Sequence, residues 1–191
     1  MKVIQLHKNS VKNQERLVKK LKANKREAQQ EVFELYSPKM LGVCRQYIKD
    51  LQHAEEIMLN GFLKTFTKIE SFKSIGSFEG WIRRIMINEC ISFLRIKQRM
   101  VFVEDDSYFE EPIEPVFIDE NKQISKLQQL VDNLREDLRV VFNLYVMEEY
   151  RHKEIAETLG ITENASKLRY RKAKSILQEQ YKRIKKIEIR N

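Results

Sequence analysis

Apolar residues recur at spacings of three and four along most of this chain, the pattern of amphipathic helices. The clearest case is residues 50–68. Ala54, Ile57, Met58, Gly61, Phe62 and Phe66 define one face there, and Glu55, Glu56, Asn60 and Lys64 fall on others. A short helix is predicted over residues 14–25, on Leu17, Val18 and Leu21. Residues 27–48 carry Phe33, Leu35, Tyr36, Met40, Leu41, Cys44, Tyr47 and Ile48. They predict a longer helix, interrupted or bent near Pro38, because Ser37-Pro38 suits the first turn of a new one. Residues 71–80 (SFKSIGSFEG) form a turn-rich loop. Residues 81–98 return to helical spacing, with Trp81, Ile82, Ile85, Met86, Cys90, Phe93 and Leu94 as a broad stripe and Arg83, Arg84, Asn88, Ser92 and Arg95 largely off it. The period is lost from residue 100 to 120 and resumes with Ile124, Leu127, Leu130 and Val131. A turn at 131–134 leads into a helix over 135–145 with Leu138, Val141, Phe142 and Tyr145 facing inward.

The stretch that follows is the most specific. In RHKEIAETLGITENASKLRYRKAK, residues 151–174, Ile155, Ala156 and Leu159 give a short amphipathic helix. Gly160 can take positive φ and stop it. Ile161 is an apolar plug, and the Thr162 hydroxyl can cap a second helix. That second helix carries Lys167, Arg169, Arg171, Lys172 and Lys174, continues to about residue 181, and turns Ser166, Tyr170, Ala173 and Leu177 inward. Helix, glycine turn and basic second helix make a helix-turn-helix, whose second helix normally enters the DNA major groove. A helical hairpin with a solvated basic face is the plainer reading. The crowding of basic residues onto the second helix alone favours DNA.

Composition narrows the class. Charged residues make up 34%, with only 5 Gly and 3 Pro in 191 residues, which suits wet-faced helices and not a β-sandwich. The expected fold is all-α: two small helical domains joined by an acidic linker, the second with the helix-turn-helix. Net charge is +8, so a polyanionic partner is expected. Its distribution says more: residues 1–98 carry a net +9, residues 99–120 a net −7 and residues 121–191 a net +6. The division that follows is an arm over 1–13, a first domain over 14–98, a linker over 99–120 and a second domain over 121–191. Tyr108, Phe109, Ile113, Val116, Phe117 and Ile118 are too many apolar residues for an inert spacer. Cys44 and Cys90 sit among apolar residues and read as buried free thiols in a reducing compartment. No zinc-ligand spacing, signal-peptide core or membrane-length apolar run occurs. A cytoplasmic protein without membrane insertion, metal or cofactor is expected.

Three segments, in order, resemble one family. Residues 54–66 (AEEIMLNGFLKTF), 78–95 (FEGWIRRIMINECISFLR) and 133–161 (NLREDLRVVFNLYVMEEYRHKEIAETLGI) are similar to the conserved segments of bacterial RNA polymerase sigma factors of the small extracytoplasmic-function (ECF) group. The resemblance covers residues 14–98 and 121–181. It implies a transcription initiation factor, not an enzyme, that binds RNA polymerase core and directs it to chosen promoters. The first domain would bind the β′ clamp coiled coil through Glu55, Glu56, Leu59 and Asn60 and capture the opened −10 element. Leu59 and Asn60 stand where Gln and Glu are usual, so that contact is expected to be partly apolar.

The loop before the helix of the second segment would sit beside an unstacked base, through Ser74 and Phe78. Lys73, Arg83, Arg84 and Arg95 would hold phosphates, and Asn88 would either bridge a neighbouring backbone or reach a base edge. Aromatics placed as Phe72, Phe78 and Trp81 are here are more often core than stacking platforms. The second domain would read the −35 element and touch the β flap, with Asn164, Lys167, Leu168 and Arg171 at base edges and Arg169, Lys172 and Lys174 at phosphates. The family often has Thr-Val where this chain has Ala165-Ser166, which leaves the Ser166 hydroxyl needing a local partner. Arg135 replaces the usual Pro of a Leu-Pro pair. An anti-sigma factor is the expected regulator. The alternative is a conventional helix-turn-helix regulator that works without polymerase core. A recombinase lacks support: His7, His53 and His152 are scattered, and no nucleophile sits in an arginine cluster.

Overall fold

A computed structural model describes residues 14–101 and 123–188. The arm expected over 1–13 and residues 102–120 of the expected linker lie outside the described residues. The described residues are helical, with no strand among them. The chain divides between Leu94 and Arg95 into two compact units.

In the first unit, α1 spans residues 14–22 and buries Leu17, Val18 and Leu21. Lys22 donates to the Phe72 carbonyl at 3.3 Å and pairs with Glu70 at 3.9 Å, which ties α1 to the far end of the unit. Helix α2 (Arg26–Tyr47) runs through Pro38 as one helix, without the interruption that was one of the two outcomes expected there. Proline forfeits a single backbone bond to residue i−4. Val32, Met40, Val43, Cys44 and Tyr47, buried on either side of it in a helix that packs on α3, secure the flanking turns. The Asp50 carboxylate caps α3 (Leu51–Thr67) by accepting from the His53 N–H at 2.8 Å. Gly61 lies against Met86: a methyl group there would collide with the thioether, so this position sets how closely α3 approaches the next helix.

Helix α4 (Phe78–Val101) starts three residues earlier than its apolar stripe suggested, because the Ser77 hydroxyl accepts from the Gly80 N–H at 3.2 Å. It also takes in residues 99–101, assigned to the linker from sequence; Gln98, Arg99 and Met100 are good helix formers and carry the last turn on. Lys64 and Glu89 bridge α3 to α4 at 2.7 Å, and Lys39 pairs with Glu79 between α2 and α4. Both thiols are fully buried, and Cys90 Sγ lies 4.0 Å from the Cys44 carbonyl oxygen. Hydrogen bonding with Cys44, then burial, push the Cys90 thiol far above its ordinary value.

The second unit holds α5 (Gln123–Asp132), α6 (Glu136–Val146), α7 (His152–Leu159) and α8 (Glu163–Glu188). Helices α5, α6 and α7 all pack on α8. Leu134, Leu138 and Ala173 centre its core, with Phe142, Ile176 and Leu177 against them. Gly160 takes φ 69°, the left-handed turn that ends α7, and the Ile161 N–H returns to the Ala156 carbonyl at 3.0 Å. The Thr162 hydroxyl then accepts from the Ala165 N–H at 3.1 Å, so both ends of the turn form as their residue types require.

Arg139 is the largest buried side chain in the unit, 1% exposed. Its guanidinium donates at 3.1 Å to the Asp132 carbonyl, an orphan acceptor at the end of α5, and at 3.5 Å to the Leu134 carbonyl in the turn that follows. Burial lowers its affinity for the proton, and the nearby Glu136 and Asp132 carboxylates oppose that.

Candidate functional site

Three surfaces present the residues singled out from sequence. On α3, Ala54, Ile57, Met58, Gly61, Phe62 and Thr65 face the core. The opposite side therefore exposes Glu55, Glu56, Leu59 and Asn60 together. Leu63, one turn further on, is exposed as well, which the sequence reading missed. Two bare leucines beside two glutamates give this face an apolar centre with an acidic edge.

The second surface is the loop before α4 and the outer side of that helix. Ser74 and Gly76 take φ 58° and 83°, and between them Ile75 is 83% exposed. Lys73 and Ser74 are exposed as well. Ile75 was not singled out from the sequence, yet its position between two turn residues is the signal that a lone apolar side chain is being presented. Phe78 requires a correction. It is completely buried, packed against Phe72 at 5.2 Å and Trp81 at 5.8 Å between ring centres. It serves as the hydrophobic footing of the loop and offers no ring face to a base. Helical spacing puts Arg84, Asn88, Ser92 and Arg95 on one exposed strip of α4. Arg83, one residue off that strip, is half-buried and stands apart from it.

The third surface is α8. Ser166, Tyr170, Ala173 and Leu177 turn toward the unit's interior, as expected from their spacing. The outward strip carries Asn164, Leu168, Arg171, Lys172 and Ser175, with Lys167 and Lys174 on its flank. Leu168 is 62% exposed, an apolar side chain held in water among cations. Lys167 pairs with Glu163 at 2.6 Å, an exposed contact that also lowers the Glu163 carboxyl. Exposed pairs of this kind exchange readily for a stronger anion.

Arg169 is corrected too. Its Nε lies 3.5 Å from the Asp137 carboxylate on α6, so it braces the unit and is not presented with the outward cations. Asp137 is gripped in bidentate fashion by Arg135 at 2.6 and 2.7 Å. Burial pushes the Asp137 carboxyl up, but the Arg135 hydrogen bonds with the charges of Arg135 and Arg169 outweigh it and hold the group below its usual value. Asp137, held by the Arg135 that is unusual for its place in the motif, thus joins the start of α6 to α8 through Arg169.

The partner that Ser166 needs is His152, the first residue of α7. Its Nδ1 lies 3.0 Å from the fully buried Ser166 Oγ. The imidazole stacks on Tyr145 at 4.5 Å and 12° and meets Tyr170 at 5.7 Å. Burial lowers the His152 value, Lys167 and Arg171 lower it further, and Glu163 opposes them. The pairing was legible only as a spacing: the first position of one helix and an inward position of the next.

Known proteins match both units. The family model described as Sigma-70 region 2 matches residues 32–100, and the one described as Sigma-70, region 4 matches residues 124–177. The ECF RNA polymerase sigma factor SigW of Bacillus subtilis is 22% identical over 175 residues, 85% of this chain and 94% of its own length. The RNA polymerase sigma-H factor of Pseudomonas aeruginosa is 26% identical over 138 residues, 65% of this chain and 70% of its own. The ECF RNA polymerase sigma-E factor of Haemophilus influenzae is 23% identical, over 85% of this chain and 92% of its own. A solved structure of the sigma factor RpoE with the anti-sigma factor NepR from Bartonella quintana is 20% identical, with a TM-score of 0.49, covering 80% of this chain and 96% of that one.

Proposed function

This chain belongs to the sigma-70 family as an ECF-group RNA polymerase sigma factor, a promoter-specific initiation factor, and on that premise we propose that it reads its promoter with two separate surfaces. The outward strip of α8 lies in the major groove of the −35 element. Lys167 and Arg171 reach base edges, Leu168 meets a thymine methyl, Asn164 sits at the helix start, and Lys172 and Lys174 hold phosphates. The loop at Lys73–Ser77, with the Arg84, Asn88 and Arg95 strip, holds the opened −10 strand, and Ile75 packs against an unstacked base. Glu55, Glu56, Leu59, Asn60 and Leu63 engage the coiled coil of the β′ clamp. An anti-sigma factor completes the set of partners.

The observation that carries this reading is the division of α8. Its inward positions are buried and its outward ones carry cations around an exposed leucine, directly after a left-handed Gly160 turn. The test is reconstitution with core polymerase, in vitro transcription from genomic DNA and mapping of start sites. Discrete starts that depend on the chain support the reading. A chain that binds operator-like DNA but no core polymerase is instead a conventional regulator.

The same assay addresses the α4 strip. Arg84→Ala with Asn88→Ala is expected to reduce open complex by roughly tenfold, on the scale of one lost charged hydrogen bond. Duplex binding should change little. Permanganate footprinting reads the melted strand, and an unchanged footprint removes this strip from the −10 surface.

A further inference from the structure

We propose that His152 is a proton-linked member of the −35 surface: held by Ser166 and Tyr145 at the start of α7, it takes up a proton when duplex phosphates reach Lys167 and Arg171. This inference rests on the reading of α8 as the −35 helix.

The geometry supports it first. His152 is partly exposed, yet its ring has little freedom. One face stacks on Tyr145, the Nδ1 edge meets Ser166 Oγ at 3.0 Å, and Tyr170 closes a further side. Ser166 is the residue immediately before Lys167, so the ring is fastened to the helix turn that presents the first outward cation. The link survives either charge state. Neutral His152 accepts from the Ser166 hydroxyl or donates to it, according to tautomer; protonated His152 donates to it. Protonation changes the charge at the surface while the tether stays.

The groups that face the ring set the direction. Helix α8 contributes Glu163, Lys167, Tyr170 and Arg171, α6 contributes Tyr145, and α7 itself carries Lys153. In the free chain, burial and then Lys167 and Arg171 disfavour imidazolium, and Glu163 alone favours it. Duplex DNA reverses the balance. Each phosphate that pairs with Lys167 or Arg171 cancels positive charge that, after burial, disfavours imidazolium, and adds negative potential at the same edge. The bound state then holds more protons than the free state. Affinity accordingly rises as pH falls through the ordinary histidine range toward the lowered value of the free chain. A histidine that acted only as a structural spacer would leave the pH dependence of binding untouched.

The experiment follows the histidine directly and then its consequence. Imidazole proton resonances of the full-length chain are titrated between pH 5 and pH 9, alone and with a duplex carrying the −35 region of a promoter mapped as above. His152→Gln identifies the signal. Its midpoint should lie below the ordinary histidine value in the free chain and move up on adding duplex. In free Lys167→Ala/Arg171→Ala chain it should already be raised.

In parallel, holoenzyme affinity for the same promoter is measured at pH 8 and pH 6. The wild type should gain roughly threefold to tenfold relative to His152→Gln, which keeps a hydrogen-bonding side chain but not the titratable charge. A duplex that binds through α8 without moving the His152 midpoint, or parallel pH profiles for the two proteins, overturns the inference and leaves the −35 reading standing. Binding that is indifferent to Lys167 and Arg171 overturns both.

Discussion

Replacing Lys167 and Arg171 together with alanine is expected to abolish promoter-specific transcription while leaving core polymerase binding intact. Both side chains lie outside the buried stripe of Ser166, Tyr170, Ala173 and Leu177, so the fold of the unit loses no packing. What is lost is recognition. A good base contact discriminates by about 1–3 kcal/mol, so two together weaken the specific −35 complex by roughly 30-fold to 10⁴-fold. If either cation also neutralises a phosphate, the dependence of log affinity on log salt becomes shallower by about one for each charge removed. Transcription from a mapped promoter, core association by co-migration and the salt slope together separate the two surfaces. Retained promoter specificity in the double variant would falsify the assignment of α8 as the reader.

The second large effect is on stability. Arg139→Met should destabilise the second unit by about 3 kcal/mol, comparable to losing charged hydrogen bonds from buried acceptors. Methionine fills part of the volume but donates nothing to the Asp132 carbonyl at the end of α5 or to the Leu134 carbonyl in the turn after it. A unit of this size shifts its melting temperature by roughly 4–8 °C per kcal/mol, so a fall of more than 10 °C is expected. Amide exchange should show the loss in α5 to α8 and spare α2, α3 and α4 as far as Leu94, because these belong to different units. Unchanged melting of the second unit would mean that the arginine is replaceable there. Full −35-dependent transcription at 37 °C would lead to the same conclusion.

Most of the helix plan was legible because each helix buries one stripe, and the stripe repeats at the helical period. The helix-turn-helix was the most readable part, since Gly160 and Thr162 act through local chemistry that needs no distant partner. Pro38 does not interrupt α2, because a single missing hydrogen bond is outweighed by the buried residues on both sides of it. Phe78 and Arg169 misled for a related reason. Residue type suggested a ligand contact, but Phe72 and Trp81 in one case and Asp137 in the other come from elsewhere in the chain and claim the side chain first. The His152–Ser166 link was hidden because neither residue is unusual alone; only their meeting across the Gly160 turn gives them a role. Ile75 and Leu63 became visible through exposure, which a hydropathy pattern does not report for an isolated apolar residue.

The sealed thiols have a practical side. Cys44 and Cys90 are both inaccessible, and the Cys90 proton is held too tightly for a thiolate to form at neutral pH. Toward alkylating reagents the folded chain therefore acts as though it contained no cysteine. A single cysteine placed at an exposed site, such as Ser175 on the outer side of α8 or Ile75 at the tip of the loop, becomes the one nucleophile a maleimide dye can reach. Fluorophores at those two positions would report separately on duplex engagement and on strand capture, in the otherwise native chain.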